Sequence, residues 1–368
     1  MNKLTTFFTA LLLLAACGGH QPAGHDMSSM KPYEVLVVGD SANAIADCLG
    51  RPCEDLPQAE PMYDVVGIKA EDFKGSYRLA RNIVIYTKGS LHDWDVKDNA
   101  YTRPQRVIYA NKSNIRIAET FIKQFEHRQA VERVRRKHNP KAEALVRQLF
   151  GETIFIPADM KASKQGNGFL WLSDNGTLAT KNLVILRLRG RCPYYGLGDG
   201  SGPYIKAFPE VLQRVDSCLK ANIRGEEDDM RMHMNPSTVM AQQDKMLDLH
   251  FHGQWEMEND IMGGPFIGHL KNLRDGTMLV ELGFVYAPGQ KKRNRIRQLT
   301  AVLYNIKEPK NRAQSSPPPH HKGKGERART KEIQTTTSPC APRPTSRATR
   351  RAGKRRWRAP AGDSRRGK

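Results

Sequence analysis

A serine set between a strand and a short helix is the first place to look for nucleophilic chemistry. Residues 35–44 read VLVVGDSANA, so Gly39, Asp40 and Ser41 follow an apolar strand as the nucleophile block of a hydrolase would. Such a serine needs a base and oxyanion donors, and the base usually comes from a D-x-x-H element. The body of the chain has none, and Asp248-x-His250 has the wrong spacing. Ser41 is better explained as the N-cap of a helix over 41–50 that Gly50 ends. Thioether and imidazole side chains offer a second chemistry, the binding of a soft metal such as Cu(I). His20, His25, Met27 and Met30 form one group, and Met230, Met232, His233 and Met234 form another. In an extended strand the three Met residues share one face, as do His250 and His252 in theirs. A buried sheet face of methionines explains the same pattern without a metal.

Two glycine-rich stretches offer weaker signals. GLGDGSG (196–202) could cradle an anion, but it matches neither a P-loop nor G-x-G-x-x-G and suits a loop as well. Gly263, Gly264, Pro265 and Phe266 suggest a tight turn or strand break. With Trp171 and Trp255 they could line a groove for a glycan, lipid or peptide, although core packing accounts for the same aromatics. Cys48, Cys53, Cys192 and Cys218 allow three pairings, of which Cys48/Cys53 and Cys192/Cys218 are the natural ones in an oxidising compartment. Cys218 falls on the apolar face of its helix and reads equally as a buried thiol.

The residue with the clearest chemistry is Cys17. Residues 1–17, MNKLTTFFTALLLLAAC, carry one lysine, an uncharged apolar stretch from Leu4 to Ala16, and then the cysteine. That stretch is too short to span a bilayer and has the form of a signal peptide. Leu14-Ala15-Ala16-Cys17 before Gly18 has the pattern of a bacterial lipobox, whose thiol is acylated by palmitate-type chains and becomes the new N-terminus. Two or three acyl chains hold a protein stably on a membrane. The expected location is therefore the cell envelope, lipid-anchored and exported to the periplasmic side or the cell surface. Residues 18–32, rich in Gly, Ser and Pro, form a flexible spacer.

The chain has 368 residues and a formal charge of +21. Residues 309–368 hold 18 Lys/Arg against 3 Asp/Glu, so the excess lies mostly in this tail, which is expected to be disordered. The body between spacer and tail is close to neutral, which removes the basic composition as evidence for nucleic acid. Behind a lipobox, the run Arg350, Arg351, Lys354, Arg355, Arg356, Arg358 suits anionic lipid or lipopolysaccharide, or has no selected role at all. Composition excludes collagen, a coiled coil, a multi-span membrane protein and a small disulfide scaffold.

Apolar runs place strands at 33–38, 82–87, 106–110, 153–157, 168–173, 182–189, 247–257 and 276–288. Helical periodicity places helices at about 113–138, at 140–150 with Asn139 and Pro140 at its start and Gly151 at its end, and after Pro209 with Val211, Leu212, Val215, Cys218 and Leu219 inward. A closing helix turns Ile296, Leu299, Leu303 and Ile306 inward and Lys291, Lys292, Arg293, Arg295 and Arg297 outward. The expectation is an α+β chain in two units, 33–151 and 152–308, with mainly antiparallel sheets. The order of elements in the second unit is similar to the Mog1/PsbP type of sandwich, an analogy of fold alone.

KPYEVLVV (31–38), LPQAEPMYDV (56–65), GFLWLS (168–173), DSCLKANI (216–223), WEMENDIMGGPF (255–266), GFVYAP (283–288) and KRNRIRQLTAVLYNI (292–306) together resemble the envelope lipoproteins of domain-of-unknown-function family 4837. The resemblance runs from the lipobox to about residue 308, with M-G-G-P-F its most distinctive block. It implies an envelope location and a shared fold, and no activity. The expected function is that of a non-enzymatic binding or assembly factor, held to the membrane and meeting an envelope protein or glycan, with no cofactor and no nucleic acid. A copper-binding lipoprotein and a GDSL-like hydrolase are the alternatives.

Overall fold

Short runs that are apolar at every position cannot keep one face in water, and in the computed structural model they sit at the centre of a sheet covered on both sides. The structure describes residues 28–53, 56–192, 203–227, 229–243 and 248–304. Cys17, His20, His25, Met27, the GLGDGSG loop and the basic tail lie outside the described residues.

The first sheet comprises β1 (Glu34–Val38), β2 (Asp64–Ile68), β3 (Asn82–Tyr86), β4 (Asp95–Asp98) and β5 (Arg106–Ala110), in the order β2-β1-β3-β5-β4. Its β1–β2, β1–β3 and β3–β5 pairings are parallel, and only the edge strand β4 runs antiparallel. Side-chain alternation sends Val35, Val37, Val84 and Ile108 to one face, under helices α1 (Ala44–Gly50) and α2 (Ile115–Arg136). Leu36, Val38, Ile83 and Val107 fill the other. Helix α2 is tied to the sheet by a fully buried ion pair. Arg81 Nε lies 2.9 Å from Glu126 Oε1, and Asn82 Nδ2 donates to the same oxygen at 2.7 Å.

The second sheet has eight strands: β6 (Ala162–Gly166), β7 (Phe169–Ser173), β8 (Thr180–Arg189), β9 (Met232–Met234), β10 (Met240–Gln243), β11 (Leu249–Met257), β12 (Gly263–Asn272) and β13 (Thr277–Tyr286). All of its pairings are antiparallel, and they outnumber the parallel pairings of the first sheet. The chain is α+β, as expected, with antiparallel pairing dominant overall and a parallel exception at its start. One face of this sheet carries α3 (Pro140–Phe150) and α5 (Arg293–Leu303) over Leu170, Leu183, Ile185, Leu279 and Val285. The other carries α4 (Pro203–Asn222). Helix α3 starts and stops as expected, with Asn139 accepting from Ala142 N at 3.2 Å and Gly151 left-handed at φ 74°. Its buried Ala142, Val146 and Phe150 pack on the second sheet, while Leu149 is exposed.

Several expectations are corrected. Residues 153–157 form no strand, although Ile154 and Ile156 are buried. Helix α4 starts at Pro203 and contains Pro209, six residues in. GGPF is the start of strand β12 and not a turn, because Gly264 serves close approach: a Cβ there would sit 2.1 Å from Val285 O. Neither Cys48/Cys53 nor Cys192/Cys218 forms a disulfide. Lys292 and Arg293 do not face outward. Glu60 accepts from their backbone N–H groups at 2.6 and 3.0 Å, capping α5, while the Arg293 guanidinium meets Asp64 and the Pro61 carbonyl. Arg297 stacks 4.5 Å from the Tyr33 ring centroid. These contacts fasten the last helix to the first sheet.

Candidate functional site

Ser41 sits exposed in the turn after β1 and does not cap the helix. Asp40 does so instead, its Oδ2 accepting from Ile45 N at 2.7 Å and Ala46 N at 3.2 Å, which shortens the helix to Ala44–Gly50. Among the described residues no histidine hydrogen-bonds Ser41, so the parts of a hydrolytic site do not meet there.

The aromatics expected to line a groove are core. Trp255 is fully buried, donates from Nε1 to Val285 O at 3.2 Å and meets Phe284 edge-on at 5.3 Å. Trp171 is buried too and donates to Asn182 Oδ1 at 3.0 Å, while Phe266 is buried against Phe251. Gly263, Gly264 and Pro265 lie within β12 beside them. The soft-metal ligands do not converge either. Met230, Met232 and Met234 are buried, and strand alternation turns His233 to the opposite face, opposite Glu256 in the register. Among the described residues no group of three or more His, Cys, Asp or Glu is arranged to hold a metal ion.

What the structure opens instead is a groove between α4 and the edge of the second sheet. Its volume is about 690 Å³, within the range of ligand sites. Phe208 and Leu212 of α4 form one wall, and Val239, Met240 and Ala241 form the other. Phe208 is held by an edge-on contact with Phe251 at 5.6 Å, and Leu212 lies on the buried face of its helix. At one end Lys220 joins Asp216 at 3.4 Å and Glu258 at 2.8 Å, and these partners raise the Lys220 pKa and lower that of Glu258. Asp216 also accepts from Met234 N at 2.7 Å, which fixes α4 to β9. Strand β10 ends the sheet, paired only with β11 among the described strands, and Met240 is 64% exposed at the lip. An apolar trough beside an unpaired strand edge is the geometry that accepts an extended peptide. Little in the residue pattern signals it, since β10 is four residues long and α4 begins ahead of the proline expected to start it.

A second cluster lies on the α5 face of the same sheet. The register aligns His250, His269 and Glu281 across β11, β12 and β13. His269 Nδ1 is 2.8 Å from Glu281 Oε2, and its Nε2 is 3.3 Å from Asp248 Oδ2. His250 stacks on His269 at 5.0 Å, and Tyr304 packs edge-on to His250 at 4.4 Å. Burial alone would lower the His269 pKa, but hydrogen bonds to Asp248 and Glu281 and their charges raise it to about 9. At neutral pH the ring is an imidazolium held between two carboxylates, so it acts as a fixed cation and cannot serve as a general base. Of this row the sequence singles out only His250, because the turn or strand break expected at Gly263–Phe266 leaves residues 267–272 without a strand assignment.

Two family models match the chain. One, described as Domain of unknown function (DUF4837), covers residues 139–305, and another, Domain of unknown function (DUF8532), covers residues 28–136. The blocks KPYEVLVV and LPQAEPMYDV therefore fall in the second of these and not in the first. The division between them falls at the α2–α3 junction, where the structure hands α3 to the second sheet. Among curated proteins, none matches the chain.

Proposed function

We propose, for a chain whose residues 139–305 belong to the DUF4837 family, the role of a lipid-anchored envelope protein that binds an extended polypeptide segment and carries out no reaction of its own. The anchor is Cys17, acylated at the lipobox read from the sequence. No helix among the described residues is long and apolar enough to cross a membrane, so a hold on the bilayer through this body would rest on the acyl chains.

The observation that carries the binding role is the edge of β10, which no other described strand pairs on its outer side, beside the α4 groove. A strand laid against β10 gains backbone hydrogen bonds from the edge, and every second side chain drops between Leu212 and Met240. The charged end at Lys220, Asp216 and Glu258 sets the register of what binds. A photocrosslinker placed at Met240 in membranes is expected to give a discrete protein adduct that the same probe at Lys123 does not give. Val239→Asp is expected to remove it by putting a charge in the trough. An adduct that persists in Val239→Asp, or none at all, would refute the groove. Recovery of Cys17→Ala in the membrane fraction, as strongly held as the parent, would refute the anchor.

A further inference from the structure

The elbow between α2 and α3 is stitched to the turn at residues 156–160. Asn139 N donates to Ile156 O at 2.7 Å, Asn139 Nδ2 to Met160 O at 2.8 Å, and Ala158 N to Lys137 O at 3.1 Å. A cavity opens on each side of this turn, and the two share Ala158 and the fully buried Met160 as a common wall. The larger, about 450 Å³, has a floor of Ala142, Leu145, Met160 and Leu172, with Lys141 and Lys161 at its mouth. The smaller, about 270 Å³, has Ala130, Val134 and Leu299 below and Arg133 and Lys137 above.

The charges at the rim are unbalanced. Lys181 in the smaller cavity is matched by Asp159 at 2.7 Å and Asp174 at 3.7 Å, and His138 by Glu143 at 2.8 Å. Arg133, Lys137, Lys141 and Lys161 have no ion pair among the described residues. The larger cavity also lies at the N-terminus of α3, whose dipole adds positive potential at Lys141. In the larger cavity Lys141 and Lys161 over an apolar floor complement a ligand with an anionic head and a hydrocarbon chain. A nucleic acid or sulfated glycan would leave the floor unfilled, and a neutral lipid would leave the cations unmatched.

We infer that the larger cavity at the elbow seats an anionic phospholipid, with an acyl chain along the Leu145–Met160 floor and the phosphate at Lys141 and Lys161, beside the N-terminus of α3. The site is separate from the α4 groove and does not depend on it or on acylation. Its test uses the full chain carrying Cys17→Ser, titrated calorimetrically with dihexanoylphosphatidylglycerol, dihexanoylphosphatidylcholine and glycerol phosphate. Binding of the first at one per chain is expected, with the other two weaker by about tenfold or more. Lys141→Glu/Lys161→Glu is expected to abolish the preference for the anionic lipid, and Lys141→Arg/Lys161→Arg to keep it, which separates charge from folding. Equal binding of the choline lipid, or of glycerol phosphate, would overturn the inference. So would phosphatidylglycerol binding unchanged by the glutamate pair, which would assign it to the basic tail.

Discussion

The imidazolium at His269 makes folding stability depend on alkaline pH. The His269 pKa rises from 6.5 to about 9 on folding, so the stabilisation is complete below about pH 6.5 and is lost as pH climbs through 9. At about 1.4 kcal/mol per pH unit between the two values, the proton retained by the fold contributes on the order of 3 kcal/mol. The ring is 12% exposed and Glu281 only 6%, so solvent screens the pair little. Other groups titrate nearby. Burial lowers the His127 pKa, which acts at lower pH with the opposite sign, and burial raises the Cys192 and Cys218 pKa values, which acts in the same direction at the alkaline end. The contribution of His269 is therefore read as a difference between the parent and His269→Gln/Glu281→Gln, which removes the cation and its most buried partner together. Urea unfolding of both at pH 6.5 and pH 9.5 is expected to show a gap that narrows by about 3 kcal/mol on going alkaline. The imidazole proton resonances of the parent should titrate near pH 9. A gap that stays constant between the two pH values, or a ring that titrates near 6.5, would show that the carboxylates do not hold the proton.

Glu126→Ala removes the buried carboxylate that pairs with the Arg81 guanidinium, both side chains being 1% exposed, and is expected to cost about 3–5 kcal/mol in urea unfolding. Glu126→Gln should recover part of this by keeping a hydrogen bond to Asn82, and equal stability of Ala, Gln and Glu at this position would refute the reading. Gly264→Ala places a methyl 2.1 Å from Val285 O and 3.1 Å from Trp255 Nε1. Pushing β12 from β13 and weakening the indole hydrogen bond is expected to cost about 2–4 kcal/mol and to shift Trp255 fluorescence; an unchanged melting temperature would show that the strands separate freely.

What the sequence revealed follows from how each element is stabilised. α3 was legible because its signals are local: an asparagine cap, a proline in the first turn, and a left-handed glycine at the end. The first sheet was legible as strands but not as a parallel sheet. Its cue was present in V-L-V-V and I-V-I, which leave no polar face, because a strand buried on both sides has nothing to alternate. β12 escaped notice because G-G-P carries every mark of a chain reversal. Those residues are instead set by Trp255 and by the Val285 carbonyl, which come from other strands.

The same reasoning explains where the candidate sites lie. Residues picked for chemical type, Ser41, the methionines and the tryptophans, turned out to be turn and core, because their types suit those places without any function. The α4 groove and the α2–α3 elbow are made of ordinary residues whose meaning comes from what is missing around them among the described residues: a partner for the β10 edge, and carboxylates for Arg133, Lys137, Lys141 and Lys161. Arg293 shows the converse. It stands among the basic residues that helical spacing places outward, yet it is 1% exposed because Asp64 and the Pro61 carbonyl, more than 200 residues earlier, take up its guanidinium. A cation's place in a fold is set by where its carboxylate lies, so unmatched cations become visible only after every matched pair has been found in three dimensions.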